Sequence, residues 1–397
     1  MSFIEYGGGT LIKERGLLNR YKLDFRLLRD MDKALLFSLI ALVLYGLLNI
    51  YLSTKGNTGD LSPFYHVKRQ LAWFAVSLVA LYFFVAIDYK VIFRYIPIVY
   101  WGSVILLIAV WIPHIGIEVN GARGWIRIAG QSMQPAEFAK FAIILRTAKL
   151  LDEMDCEINN IKNIFTIFIW AMIPVGLILI QPDMGMAMVC FFIVLGMLFV
   201  AGLDKRIIWG GALALFLSVI VLWYSGLILP HQKARIVSFM SSDSQDSANG
   251  YQLSQSLIGI GSGGLFGSKP SLDPNVAPGY SGTHVPEVQT DFIFSAIGEQ
   301  WGLAGALVLL LLYGILISRM IAIARRTKDR FASLVCMGLV SYFLFAITQN
   351  IGMTINLMPI TGITLPLISE GGSSLLTTVI AVALILNIGM RKKKIHF

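Results

Sequence analysis

The chain has 397 residues, of which 56% are hydrophobic and 14% charged, well below the roughly 25% charged residues of soluble globular domains. The three cysteines, Cys156, Cys190 and Cys336, are far apart and form no C-x-x-C spacing, which excludes a disulfide framework or a cysteine metal site and leaves them as packing residues. The formal charge of +9 points to nucleic acid only if the basic residues share one polar surface, and they do not, being dispersed between apolar blocks.

Residues 1–33 form a mixed-charge segment, too long and too acidic for a secretory leader and followed by no A-x-A site, so the protein is expected to stay in the membrane. A helix needs about 20 apolar residues to cross about 30 Å of hydrocarbon, and the sequence predicts ten such spans. They are Ala34–Leu52, Leu71–Ile87, Phe93–Ile112, Ala136–Leu150, Ile164–Ile180, Met184–Ala201, Ile207–Tyr224, Phe292–Ile317, Ala332–Met353 and Ser374–Met390. The fourth is short and carries Glu137 and Lys140. The expected fold is all-α: a polytopic membrane domain over residues 34–390, with a basic tail at 391–397.

Orientation follows from lysine and arginine. With both termini cytoplasmic, inner segments hold 23 of the 32 basic residues and outer segments eight, Lys140 lying within a span. That asymmetry fits the positive-inside rule, makes the basic residues determinants of topology, and leaves nucleic-acid binding without support. Residues 225–291 then form a large outer loop between spans seven and eight, and a connection of this length is either functional or disordered. It is not low-complexity, since it holds an amphipathic stretch, Tyr251–Ile260, and a glycine run, Gly259–Gly267. Asn120–Glu137 and Gly362–Ser374 are polar, Gly- and Pro-bearing outer segments too, so the polar chemistry faces outward.

Ionisable groups at membrane depth are costly and point to function. Glu137 and Lys140 are three apart on a helix opening at Pro135, a favoured first-turn residue, so they share a face and can pair. They form a structural ion pair, part of a substrate cavity, or both. Asp183 stands between spans five and six, where it can cap the sixth. Asp291 can likewise cap span eight, but it also closes the long loop beside Glu287 at the outer surface, where a carboxylate with a raised pKa can act as a general base. Trp125 suits an interfacial aromatic belt. The glycine run lacks the Gly-Lys-Ser/Thr ending of a phosphate loop, which excludes nucleotide binding, and no His/Cys zinc cluster or Ser–His arrangement is present.

Six segments, in order, resemble one family, the SEDS proteins of shape, elongation, division and sporulation, to which RodA, FtsW and SpoVE belong. They are NGARGWI (120–126), QPAEFAK (134–140), QPDMG (181–185), GYQLSQSLIGIGSGGLFG (250–267), PEVQTDFIFSAIGEQWG (286–302) and NIGMTINLMPITGITLPLISEGGSS (350–374). The resemblance runs from about Leu28 to Arg391, and chain length with the N-terminal Arg29-Asp30-Met31-Asp32 looks more like RodA than FtsW. It implies a peptidoglycan glycosyltransferase that polymerises lipid II for cell elongation and rod shape, with Asp291 catalytic. Trp125, Glu137, Lys140 and Asp183 match the family's functional tryptophan and cavity residues. It also implies a class B penicillin-binding protein, a transpeptidase, as partner at spans eight and nine. Pyrophosphate leaves readily and needs charge stabilisation more than protonation, which Lys140, Arg123, Arg127, Lys233 and Arg235, or a divalent cation such as Mg or Mn, can supply. Three features depart from the family pattern: Gln289 replaces a common His, Glu370 a common Tyr, and Ser241-Ser242-Asp243 lacks a Pro-Glu/Asp pair. The competing readings are a lipid II flippase, a division or sporulation paralogue, and a non-catalytic scaffold of a wall-synthesis complex.

Overall fold

The computed structural model describes residues 29–55, 62–119, 122–128, 130–211, 213, 217, 220 and 248–391. Most of the seventh predicted span, together with Lys233, Arg235 and Ser241–Asp243, lies outside these residues. The described part is a helical bundle whose helices are α1 (Lys33–Thr54), α2 (Tyr65–Ala86), α3 (Tyr89–Ala109), α4 (Pro135–Glu153), α5 (Ile161–Ile180), α6 (Met184–Val200), α7 (Ala248–Gly263), α8 (Tyr280–His284), α9 (Ile293–Arg326), α10 (Arg330–Thr354) and α11 (Gly372–Met390). Nine of the ten predicted spans appear here, each within a few residues of its expected limits except α9, which runs on to Arg326. Seven described helices are long and apolar enough to cross a membrane, and α6 is a shorter apolar one. The protein is a polytopic membrane protein.

Short polar residues start these helices by accepting orphan backbone N–H groups. Asp32 accepts from Leu35, Asp88 from Lys90, Asn160 from Lys162, Asp183 from Met186 and Asp329 from Ala332. Asp32 also pairs with Arg319 of α9 at 2.6 Å. Burial pulls the Asp32 carboxyl upward, but the hydrogen bonds from Arg319 and Leu35 and the Arg319 charge outweigh it and hold the group below the usual aspartate range.

The fourth span is the exception to the apolar pattern, and its packing explains why. Helix α4 touches α3, α5, α6, α10 and α11, and most of its residues are buried. Its polar side chains therefore meet protein, where charges at membrane depth are tolerated. Helix α9 is broken at Gly302 (φ 63°, ψ −158°). The N–H groups of Leu303 and Ala304 donate to the carbonyls of Gly264 and Leu265 at 3.0 Å each, so the loop after α7 caps the apolar part of α9. A side chain at Gly302 would collide with Gly267 and Gly264, and one at Gly263 with the carbonyl of Gly298. The glycine run thus serves close packing of α7 on the start of α9.

One feature departs from the all-α expectation. Residues predicted as loop between α3 and α4 form a three-stranded antiparallel sheet, β1 (Gly116–Val119), β2 (Ala122–Ile128) and β3 (Gln131–Met133), in the order β1-β2-β3. Ile117 stands opposite Trp125 and Arg127 opposite Ser132. The second half of the long loop is likewise built, not bare. Lys55, almost fully buried, donates to the carbonyls of Ser271 and Asp273, and Tyr51 to that of Leu272. The buried Glu299 carboxylate accepts the N–H groups of Tyr280 and Ser281. Cys190 and Cys336 are buried and Cys156 half-buried, as packing residues should be.

Candidate functional site

The polar motifs meet at one end of the bundle, where α4, α6, α9 and α11 begin and α1 and α10 end. Pro135 starts α4 and places Glu137 and Lys140 one turn in. The Lys140 ammonium pairs directly with Glu137, and both residues are 3–4% exposed. Thr377 of α11 donates to the same Glu137 oxygen at 2.9 Å, and the Lys140 ammonium lies 3.9 Å from the centroid of the Tyr342 ring. An aromatic face attracts a cation, so the pair is satisfied from three helices.

Asp183 caps α6: one carboxylate oxygen accepts the Met186 N–H at 3.0 Å, the other the Gln134 side-chain amide at 2.8 Å. The Gln134 N–H donates to the Ser373 hydroxyl at 3.1 Å. The starts of α4, α6 and α11 are thereby tied together around the Glu137–Lys140 pair.

Asp291 is half-buried in the turn leading into α9. Phe292, not Asp291, occupies the N-cap position of that helix. Thr290 donates to one Asp291 carboxylate oxygen at 3.1 Å. The Asn350 amide donates to both the Asp291 and the Ile363 carbonyls, at 2.7 Å each, fixing this turn to the loop between α10 and α11. A Cβ on Gly362 would stand 3.8 Å from the other Asp291 oxygen, and one on Gly185 would stand 2.5 Å from the Thr361 carbonyl. The segment Thr361–Ile363 therefore runs between Asp291 and the start of α6, linking Asp291 to Asp183 and the buried pair. The left-handed Gly362 (φ 71°) suits a glycine where backbone must pass close to a carboxylate.

Trp125 is half-buried in β2, and a Cβ on its neighbour Gly124 would sit 3.7 Å from the Gln181 side-chain oxygen. Gln181 donates to the Leu107 carbonyl at 2.8 Å, joining the sheet to the QPD corner. Arg123 reaches instead to Trp111, its guanidinium 5.9 Å from the ring centroid. Lys140 is already committed to Glu137. Arg235 lies outside the described residues.

Several polar partners escaped sequence reasoning. Gln134, Thr377, Tyr342 and Asn350 carry no hydropathy signal. Thr377 is 240 residues from Glu137, so no local spacing links them. Glu370, noted only as a departure, is buried, ion-paired with Arg69 and in hydrogen-bond contact with His66. Its N–H donates to the Gln289 carbonyl at 2.8 Å, so two departures from the family pattern touch. Among the described residues the donor set forms no cage for a divalent cation. Glu137 is committed to Lys140 and Thr377, Asp183 to Gln134 and Met186, and among the described residues no three His, Cys, Asp or Glu side chains converge to hold a metal ion.

Comparison with known proteins agrees with the motifs. The family described as "Cell cycle protein" (FtsW/RodA/SpoVE) matches residues 33–394. Stage V sporulation protein E of Bacillus subtilis is 34% identical over 364 residues, 90% of this chain and 96% of that protein. The peptidoglycan glycosyltransferase MrdB of Escherichia coli K12 is 31% identical over 370 residues, 91% and 94% of the two chains. Identities so close do not separate the branches of the family. A chain in a solved peptidoglycan synthase complex, whose structure concerns the coordination of polymerization and crosslinking, superposes with a TM-score of 0.75. It is 29% identical, and the match covers 90% of this chain and 97% of that one. With the fold, the six motifs and these matches in agreement, the chain belongs to the FtsW/RodA/SpoVE family.

Proposed function

We propose that this protein polymerises lipid II into peptidoglycan strands at the outer face of the membrane, serving cell elongation, with Asp291 as general base. The observation that carries the reading is the position of Asp291. Its half-buried carboxylate lies at the end of the turn that Asn350 and Gly362 bring close to the Asp183 and Glu137–Lys140 groups. In the reaction, the acceptor sugar hydroxyl gives its proton to Asp291 and its oxygen attacks the donor anomeric carbon. The bond from that carbon to the pyrophosphate oxygen breaks, undecaprenyl pyrophosphate leaves, and a β-1,4 bond forms with inversion. Trp125 and Asp183 shape the donor's surroundings. With Lys140 held by Glu137, the leaving charge falls to Arg123, Arg127 and the loop cations Lys233 and Arg235.

A flippase needs gates and charges at both ends of the bundle, whereas the buried pair, Asp183 and Asp291 gather at one. Reconstituted in vesicles with lipid II, the protein is expected to form glycan strands. Transbilayer movement of lipid II without strands would favour the transporter instead.

The orientation rests on the 23-to-8 distribution of basic residues. Thr283 and Lys328 are exposed at opposite ends of the bundle. In a Cys156→Ser background, Thr283→Cys should react with a membrane-impermeant thiol reagent in intact cells and Lys328→Cys should not. The reverse pattern would put the site on the wrong face.

The related synthase complex supports a transpeptidase partner, a class B penicillin-binding protein, along α9. Leu309 is fully buried in the core because it faces the bundle. Leu303, Leu307, Val308, Leu310 and Leu311 form the exposed side. Helix association in lipid depends on close packing, so Leu307→Trp or Leu311→Trp should weaken co-purification of the partner severalfold. Unchanged recovery for both would move the interface to another helix.

A further inference from the structure

Glu370 is 2% exposed, yet nothing in the proposed reaction uses it. Its carboxylate is held from one turn of α2. Arg69 donates from Nε to one oxygen at 2.7 Å, with a second guanidinium nitrogen at 2.5 Å, and His66 Nδ1 lies 2.8 Å from the other. His66 and Arg69 are three apart, so both project from the same helix face. Beside them, the Gln70 amide donates to the Ser369 carbonyl at 3.0 Å, and its oxygen accepts the Gly371 N–H at 3.2 Å. Three consecutive loop residues are therefore fastened to α2. The same loop holds the segment bearing Asp291 at two points: the Glu370 N–H donates to the Gln289 carbonyl at 2.8 Å, and Asn350 bridges the Asp291 and Ile363 carbonyls.

Buried ion pairs add little net stability compared with well-packed apolar groups, whereas a charge-assisted contact that holds both carboxylate oxygens from two side chains fixes geometry. We infer that His66, Arg69 and Glu370 form a clamp that positions Asp291, an inference that rests on reading Asp291 as the base. The clamp touches no reacting atom. It acts by transmitting the place of α2 through Glu370 to Gln289, two residues before the carboxylate. A displacement of about 1 Å at a reacting group can cost about 10²-fold in rate, so a distant contact of this kind has a large readout.

The test uses the purified full-length protein with lipid II as substrate. Glu370→Gln and Arg69→Met should each lower the saturating rate of strand formation about 10- to 100-fold while KM stays within about threefold. The double variant should be no slower than the worse single one, as expected of residues acting as one unit. Amide hydrogen exchange over residues 285–291 and 361–371 should quicken in both single variants while the rest of the bundle is unchanged. If Glu370→Gln does not fold, His66→Phe removes one contact and leaves the Arg69–Glu370 pair, and should show the same split at about a tenfold loss. Saturating rates within about threefold of wild type overturn the clamp, as does a loss confined to KM or to the yield of folded protein. Asp291→Asn run in parallel separates the two readings. An inactive Asp291→Asn beside active clamp variants removes the clamp alone, and an active Asp291→Asn removes both.

Discussion

Lys140→Met should sharply reduce the amount of folded protein. The substitution keeps much of the side chain's length but leaves the Glu137 carboxylate 3% exposed with Thr377 as its remaining donor. An uncompensated buried charge typically costs about 3–5 kcal/mol, a large part of the roughly 5–15 kcal/mol that holds an ordinary domain together. Tyr342 would also lose its cation. Glu137→Gln combined with Lys140→Met removes both charges and should recover part of the loss, because an amide can still accept from Thr377. The measurement is the monodisperse fraction in detergent and its thermal unfolding midpoint, read for both single variants and the double. Normal folding of both single variants together with lost polymerisation would show that these groups meet the substrate directly.

This pair also shows how much the sequence discloses. Its spacing and its depth in an apolar segment were enough to predict contact between Glu137 and Lys140, because i,i+3 geometry is local. The membrane spans were legible for the same reason: hydropathy is read within one segment. What completes the site is not local. Thr377, Tyr342 and Asn350 reach their partners across the bundle, and only packing brings them there. The small sheet around Trp125 was hidden because Asn120–Glu137 is rich in glycine and polar residues, which reads as loop when strands are only three to seven residues long. The break at Gly302 was hidden too, since a glycine inside a predicted span gives no sign of whether its φ is positive. Asp183 shows the opposite case, its capping role being plain from its place before an apolar block. Glu370 was visible as a departure, but the arginine that pairs with it and the histidine that contacts it lie about three hundred residues earlier.

Asp291→Asn bears most directly on the mechanism. The amide keeps the size of the carboxylate, can still accept from Thr290, and leaves untouched the main-chain carbonyl that Asn350 holds. Since Phe292 takes the N-cap position of α9, little helix stability depends on the Asp291 charge. Folding, membrane insertion, partner binding and lipid II binding should therefore persist. An amide cannot take the acceptor's proton, and general base catalysis is typically worth about 10²–10⁴-fold. Asp183→Asn should be milder, because Asn caps a helix about as well as Asp and its oxygen can still accept a hydrogen bond. The decisive measurement is the rate of glycan strand formation by purified Asp291→Asn protein at saturating lipid II. A fall of at least about 10²-fold in well-folded, lipid II-binding protein is the expected result, and a rate within about threefold of wild type would contradict the assignment of Asp291 as the base.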